Sequence, residues 1–134
     1  MILRILKKKI IKSKKGSVVH MYNKKDNIIK KISEVYFSNI FPKEVKAWKK
    51  TSSEQYLSVQ RGQILFVVKD KKNFKQIKLG YPLNYKTLYI EPNVWYGFKC
   101  ISKSPALICN ITSLDNSNSK KIKKNKNYFK FRWN

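Results

Sequence analysis

Residues 59–70 have the sequence VQRGQILFVVKD, and residues 88–98 have the sequence LYIEPNVWYGF. The first segment predicts a strand that ends in a turn at Arg61-Gly62, followed by a strongly apolar strand that stops at charged residues. The second predicts a strand that ends in a turn at Pro92-Asn93 and resumes as an aromatic strand. β-Branched and aromatic residues fit pleated sheets, whereas Gly, Pro and Asn suit turns. The two segments therefore indicate the two halves of a small β-barrel whose interior holds a ligand.

Short apolar or alternating segments continue this pattern along the chain. Further strands are predicted at 17–21, 32–40, 45–49, 55–60, 74–79 and 105–112, with turn residues between them. No segment has convincing helical periodicity. Many short strands at regular spacing predict an all-β fold, an antiparallel sandwich or barrel.

The length of 134 residues and a hydrophobic content of 42% predict one globular domain with a single core. We divide it into a basic N-terminal arm (1–15), a barrel (16–114) and a basic tail (115–134). The arm is predicted to be an edge strand with a turn, and the alternative is an amphipathic helix on an anionic membrane. The tail ends in alternating aromatic residues, which predict an edge strand docked on the barrel or on a partner subunit.

The cysteine content and the hydropathy pattern bear on where the protein works. The two cysteines, Cys100 and Cys109, do not imply a disulfide framework and are expected to be reduced thiols. No stretch approaches the roughly 20 apolar residues that a membrane span needs. The first residues have their charges after a short apolar run, which is the reverse of a secretory signal. These patterns predict a cytoplasmic location.

The net charge of +24 has three interpretations. Compositional drift toward Lys, Asn and Ile needs no partner. An anionic small substrate would be attracted by the same lysines. A polynucleotide or an acidic membrane is the third, although arginine, which favours planar phosphate and base contacts, occurs only at Arg4, Arg61 and Arg132.

Six motifs in order give the chain a resemblance to a known family. They are 15–20 (KGSVVH), 34–38 (EVYFS), 46–49 (KAWK), 60–70 (QRGQILFVVKD), 90–98 (IEPNVWYGF) and 128–133 (YFKFRW). Together they resemble the cupin superfamily, in the branch of dTDP-4-dehydrorhamnose 3,5-epimerases and sugar-nucleotide 3,4-ketoisomerases. The resemblance implies a small antiparallel jelly-roll β-barrel and a homodimer that shares edge strands.

The resemblance also shows where a cupin metal site would lie. Its ligand positions fall on Lys49, Thr51 and Gln55 in the first motif and on Tyr96 in the second. These side chains are poor substitutes for imidazole and carboxylate ligands. The lone His20 lies elsewhere and is expected to be structural. We therefore expect no metal and no cofactor, as in the metal-free epimerase branch.

The two main catalytic residues of the resembled family have no direct counterparts here. Lys49 occupies the position of the family's histidine base, and no tyrosine occurs near 110–113, where the acid is expected. Burial and neighbouring lysines would lower the pKa of Lys49 enough for it to act as a base. Tyr96, pointing inward, would then be the proton donor. The alternatives are that Lys49 is a solvated lysine and that Tyr96 is barrel packing.

The substrate implied by the resemblance is a nucleoside-diphosphate sugar. Side chains suited to its phosphates, rings and hydroxyls are Lys15, Glu34, Tyr36, Lys46, Trp48, Gln55 and Arg61. The predicted function is binding, with epimerisation or isomerisation, of a 4-keto-deoxysugar nucleotide for surface polysaccharide synthesis. Two alternatives remain: a catalytically inactive sugar-nucleotide binder, and a basic nucleic-acid-binding protein on a cupin scaffold.

Overall fold

The computed structural model describes residues 2–134. Within this range the regular structure is strands plus one short 3₁₀ turn at Lys24–Asp26. The strands are β1 (Leu3–Lys7), β2 (Ile10–Ser13), β3 (Gly16–Val19), β4 (Glu34–Ile40), β5 (Val45–Thr51), β6 (Gln55–Asp70), β7 (Asn73–Tyr81), β8 (Lys86–Ile90), β9 (Tyr96–Cys100), β10 (Ala106–Thr112) and β11 (Lys121–Lys123). No helix long and apolar enough to cross a bilayer occurs in this part of the chain.

The strands form two antiparallel layers that share β6. The first layer has the order β4-β10-β6-β8-β1, and the second has the order β7-β6-β9-β5-β11. Strands β2 and β3 form a separate hairpin. This arrangement confirms the predicted all-β class and the jelly-roll barrel.

β6 corrects the sequence prediction of a turn at Arg61-Gly62. It is one strand of 16 residues whose first half pairs with β8 and β10 and whose second half pairs with β7 and β9. Gly62 has φ +77° at the point where the strand passes between layers, beside a register shift in the β10 pairing. A glycine flanked by polar residues, here Gln60-Arg61 before it and Gln63 after it, resembles a turn in sequence, but here it bends a continuous strand.

The main core lies between the layers. It is made of inward side chains of the central strands: Leu57, Val59, Ile64, Phe66, Val68, Leu79, Leu88, Ile90 and Ile108. A second cluster covers the outside of the first layer, where Ile28 and Ile29 pack on Tyr56 and Ile111. The core fills the part of the barrel around β8 and the bend in β6, and the space near β5 stays open.

The two ends of the chain both add strands to the barrel. β1 pairs with β8 over five residues, from Leu3 with Ile90 to Lys7 with Lys86. Since residues 3–7 and 10–13 are strands, the amphipathic-helix alternative for the arm is wrong. At the other end β11 pairs with β5.

Candidate active site

A cavity of about 430 Å³ opens between the two layers. Strands β4, β6 and β10 form one wall, and β5, β9 and the tail form the other. Its lining residues are Tyr36, Ser38, Val45, Lys46, Ala47, Trp48, Lys49, Leu57, Tyr96, Phe98, Ile108, Asn110, Lys123 and Lys124. Apolar side chains and a few polar groups in one concave space are typical of a small-molecule site.

A buried polar network joins the two walls of the cavity. Asn110 Nδ2 donates to the hydroxyl of Tyr36 at 2.8 Å and to Gln55 Oε1 at 2.6 Å. Gln55 Oε1 also accepts from the Tyr96 hydroxyl at 3.3 Å. Both amide protons of Asn110 are therefore used, and the proton of Tyr96 is directed at Gln55.

The network leaves one hydroxyl proton free. The Tyr36 oxygen accepts from Asn110, so its own O–H remains available to a ligand in the cavity. Burial raises the pKa of Tyr36, which keeps this proton in place at neutral pH. Burial also strongly raises the pKa of Tyr96. Of the two tyrosines, Tyr36 is the better placed to act as an acid.

Lys49 brings an amine into the same cavity. Its Nζ lies 5.6 Å from the centre of the Tyr96 ring. Neither of the two ion pairs found among residues 2–134 involves it. Burial, followed by the charges of Lys121, Lys123 and Lys46, lowers the pKa of Lys49 to about 8. An appreciable fraction of the amine is therefore neutral near physiological pH.

The pairing of β5 with β9 is irregular where Lys46 and Lys49 enter the cavity lining. Lys46 pairs with Phe98 and Lys49 with Tyr96, so that two residues of β5 face a single residue of β9, Gly97. The α-carbon of Gly97 lies so near Ala47 that a Cβ would collide with it. The glycine therefore allows the irregular segment of β5 to lie against β9.

The tail supplies the remaining cations. Trp48 and Lys124 exchange backbone hydrogen bonds, 2.7 Å from Trp48 N to Lys124 O and 2.9 Å from Lys124 N to Trp48 O. This pairing, with that of β11, brings Lys123 and Lys124 into the cavity lining. Cations from two distant parts of the chain thus meet at one cavity.

Trp48 belongs to the cavity lining, but its ring is not the open stacking surface that the sequence predicts. The side chain is 1% exposed, and its Nε1 donates to Lys126 O at 3.1 Å. The ring packs in a cluster of aromatic side chains on the outside of the second layer: Phe74, Phe129, Phe131 and Trp133. The prediction of an aromatic edge strand at the end of the tail is also wrong. The tail pairs through β11, and the aromatic residues of 128–133 lie outside any strand and dock by side-chain packing.

The other predicted residues divide into two groups. Glu34 and Gln55 line a small neighbouring cavity of about 10 Å³, together with Tyr36 and Lys49. Lys15 and Arg61 are exposed and line none of the cavities described. Lys15 lies in the turn of the β2–β3 hairpin and Arg61 at the bend of β6. The structure therefore does not bring these two cations to the site, because both side chains face solvent away from the cavity.

Sequence analysis missed Asn110, Ser38, Lys123 and Lys124 as lining residues. The sequence did carry a signal for Asn110, which is a polar residue inside the apolar strand β10, and the structure buries it to 3% exposure. Its Oδ1 is also buried without a partner, although buried polar atoms are usually paired. No local signal marked the two lysines, which lie in a lysine-rich tail.

Residues 2–134 contain no group of three or more His, Cys, Asp or Glu side chains that would hold a metal ion. The reactive groups that the cavity does contain are an amine, a free phenol and an amide network. An amine with a neutral fraction can remove a proton or attack a carbonyl carbon, and a phenol can protonate an oxygen.

Comparison with solved structures identifies the class of protein. The dTDP sugar isomerase from Desulfovibrio desulfuricans superposes with a TM-score of 0.86 and 32% identity, covering 98% of this chain and 90% of that one. The chain therefore has the cupin fold and belongs to the family of this dTDP sugar isomerase. No protein-family profile and no curated protein sequence matches it.

Two more distant structures share the fold. A dTDP-6-deoxy-D-glucose-3,5-epimerase from Legionella pneumophila, in complex with dTDP-4-keto-L-rhamnose, has a TM-score of 0.78 and 17% identity, covering 90% of this chain and 71% of that one. The sugar 3,4-ketoisomerase from Thermoanaerobacterium thermosaccharolyticum, with TDP bound, has a TM-score of 0.70 and 23% identity, covering 88% and 86%. A variant of that ketoisomerase was solved with TDP-4-keto-6-deoxyglucose.

Proposed function

We propose that the protein binds a dTDP-linked 4-keto-deoxysugar and epimerises or isomerises it without a metal. The observation that supports this most directly is the shared cavity of Lys49 and Tyr36, an amine and a free hydroxyl in a member of the dTDP-sugar isomerase family. Proton removal from the carbon next to a ketone needs a base, and an acid on the carbonyl oxygen stabilises the enolate that forms.

In this proposal Lys49 is the base. Its neutral fraction accepts the proton from the carbon beside the carbonyl, and the lowered pKa keeps that fraction large enough near pH 8. The proton then returns to the same carbon or to the neighbouring one. The first outcome is epimerisation, and the second moves the carbonyl along the ring.

Tyr36 replaces Tyr96 as the proposed proton donor. The Tyr96 hydroxyl donates to Gln55, whereas Tyr36 accepts from Asn110 and keeps its own proton free. Tyr96 then serves as a wall of the cavity and, through its ring, as a neighbour of the Lys49 amine. Gln55 and Asn110 hold the two tyrosines in these orientations.

The lysines in the cavity lining suit the diphosphate of the same substrate. Lys46, Lys123 and Lys124 line the cavity, and Lys121 adds a charge near Lys49. Ammonium groups bind phosphate oxygens as mobile point charges. The diphosphate would lie toward these lysines, with the sugar ring between Lys49 and Tyr36.

The test is proton exchange with solvent, using TDP-4-keto-6-deoxyglucose in D₂O. The protein should incorporate deuterium beside the carbonyl, whereas Lys49→Met should lose incorporation and still bind TDP by calorimetry. Tyr36→Phe should slow exchange by about 10²-fold to 10⁴-fold, and Tyr96→Phe by only a few fold. Binding without any exchange in the unmodified protein would support the inactive-binder alternative instead.

The assembly and its setting are also proposals. We infer a homodimer, because the edge strand β4 exposes Val35 and Phe37 (53% and 61% exposed) and pairs on one side only, with β10, among the described residues. We also propose a cytoplasmic role in supplying deoxysugars for surface polysaccharides, and the family membership supports this proposal.

A further inference from the structure

The Lys49 amine lies in surroundings that favour covalent chemistry. The facing groups of β4 are Glu34 and Tyr36, that of β9 is Tyr96, and those of β11 are Lys121 and Lys123. Glu34 is the one carboxylate in this set, and it forms no ion pair with Lys49. A lysine without a counter-ion, among other cations, is a more effective nucleophile than one on an open surface.

The rest of the cavity lining is suited to a reaction that releases water. Val45, Leu57, Phe98 and Ile108 supply apolar surface beside the polar network. Among them Leu57 and Ile108 are each 2% exposed. A ketone held against such surface would meet few competing waters, so the loss of water from an adduct is favoured.

We propose that Lys49 forms a covalent imine with the ketone of the bound sugar, so that the protein acts by nucleophilic as well as acid–base catalysis. The inference rests on the proposed function, because it needs a keto sugar in the cavity. It changes one role in that function, because Tyr36 and not Lys49 removes the proton, and it gives a chemical reason for a lysine at this position. An iminium ion withdraws electrons more strongly than a carbonyl and acidifies the neighbouring C–H bond.

In this route Tyr36 donates and accepts every proton that is transferred. The neutral amine adds its lone pair to the carbonyl carbon, and the carbonyl oxygen takes the Tyr36 proton. One of the two protons on nitrogen then returns to the Tyr36 phenolate. Tyr36 next protonates the departing hydroxyl, water leaves, and the nitrogen lone pair completes the C=N bond. The phenolate finally accepts the proton from the neighbouring carbon, which gives a neutral enamine and a neutral tyrosine.

The return path reverses these steps. Tyr36 protonates the enamine at the carbon that lost its proton, on either face, and the iminium ion is regenerated, so this route gives epimerisation. Water adds to the iminium carbon, and the carbinolamine releases the ketone and the free amine. No oxidant, reductant or cofactor is consumed, and the water that was released is the water taken up again.

Reductive trapping tests the imine directly. Protein and TDP-4-keto-6-deoxyglucose are incubated with sodium cyanoborohydride, and the protein is measured by intact mass and by peptide mapping. We expect a gain equal to the ligand less one oxygen atom, located on Lys49 and suppressed by excess TDP. Lys49→Arg keeps a cation but cannot form the adduct, and thermal denaturation verifies that this variant is folded.

The matched control is Lys50→Arg. Lys50 is the next residue of β5, its Nζ lies over the Trp95 ring at 5.1 Å, and it does not line the cavity. This variant should be trapped as fully as the unmodified protein. Labelling spread over surface lysines and insensitive to TDP would overturn the proposal.

Two further outcomes separate the inference from the function on which it rests. If TDP binds and deuterium exchange occurs but no adduct is trapped, the imine is wrong and Lys49 acts as a simple base. If neither TDP nor the keto sugar binds, the proposed function itself fails, and the imine fails with it.

Discussion

The lowered pKa of Lys49 serves the proposed chemistry and at the same time costs the folded protein stability. Its ordinary pKa is 10.5, and in the folded protein burial and neighbouring lysines lower it to about 8. At pH 7 the amine is protonated in both the folded and the unfolded chain, so the folded state bears the cost of holding that charge. Between about pH 8 and 10.5 the unfolded chain binds more protons, and stability therefore rises with pH across this window.

Replacing Lys49 by Met should make the protein more stable and inactive. At pH 7 the free energy of unfolding should rise by roughly 1 to 3 kcal/mol, since the buried charge is removed and a chain of similar length remains. The difference from the unmodified protein should shrink between pH 8 and 10.5, as measured by denaturant unfolding. Equal or lower stability of the variant at pH 7 would mean that the amine is solvated, as in the alternative interpretation.

At the scale of the element, β6 shows why a local pattern can misplace a turn. Arg61-Gly62 resembles the end of a strand, yet β6 continues through it and passes from one layer to the other. The partners that keep it extended are distant in sequence: β8 and β10 before the bend, β7 and β9 after it. A turn and a bend have the same local residues, and only the non-local pairing distinguishes them.

Gly62→Ala should test whether this bend is essential to the barrel. The backbone has φ +77°, and a Cβ would lie 2.8 Å from Ser102 Oγ and 2.9 Å from Ala106 Cα. Strain and collision together should lower the free energy of unfolding by about 2 to 4 kcal/mol. Arg61→Ala, one residue away and exposed, should change it by less than about 0.5 kcal/mol. Thermal or urea unfolding measures both, and a tolerated alanine would show that the bend is relaxed.

In the candidate site, too, the features set by local sequence were predictable, and those set by distant contacts were not. Lys49 and Tyr36 were accessible to sequence analysis because both lie in strand motifs whose order survives in this chain. The partner that orients Tyr36 is Asn110, 74 residues further along, and the tail contact to Trp48 spans 78 residues. No local sequence pattern indicates contacts between residues so far apart in the chain. The aromatic tail was predicted to dock, but its docking by rings on Trp48 rather than by strand pairing depends on the packed surface of the second layer.

At the scale of the whole molecule, the charge of +24 bears on binding and on assembly. Lysines occur on strands of both layers, on the β2–β3 hairpin and in the tail, while several of them converge at the cavity. A field of one sign attracts a diphosphate over a distance and weakens as salt is added. The same field repels a second copy of the chain. A nucleic-acid binder would instead gather its lysines along one face and lose polynucleotide affinity steeply with salt.

In the proposed dimer, apolar contacts at β4 must overcome the repulsion between two positively charged chains. Val35 and Phe37 alternate with Tyr36 and Ser38, so the strand presents apolar side chains outward while its other face lines the cavity. Phe37→Asp should convert the dimer to a monomer in analytical ultracentrifugation, because a charge on this edge blocks strand pairing. Leu83→Asp, at a side chain 73% exposed in the β7–β8 turn, should leave the dimer intact. Added salt should strengthen dimerisation of the unmodified chain by screening its positive charge, and a monomer at every salt concentration would exclude β4 as the interface.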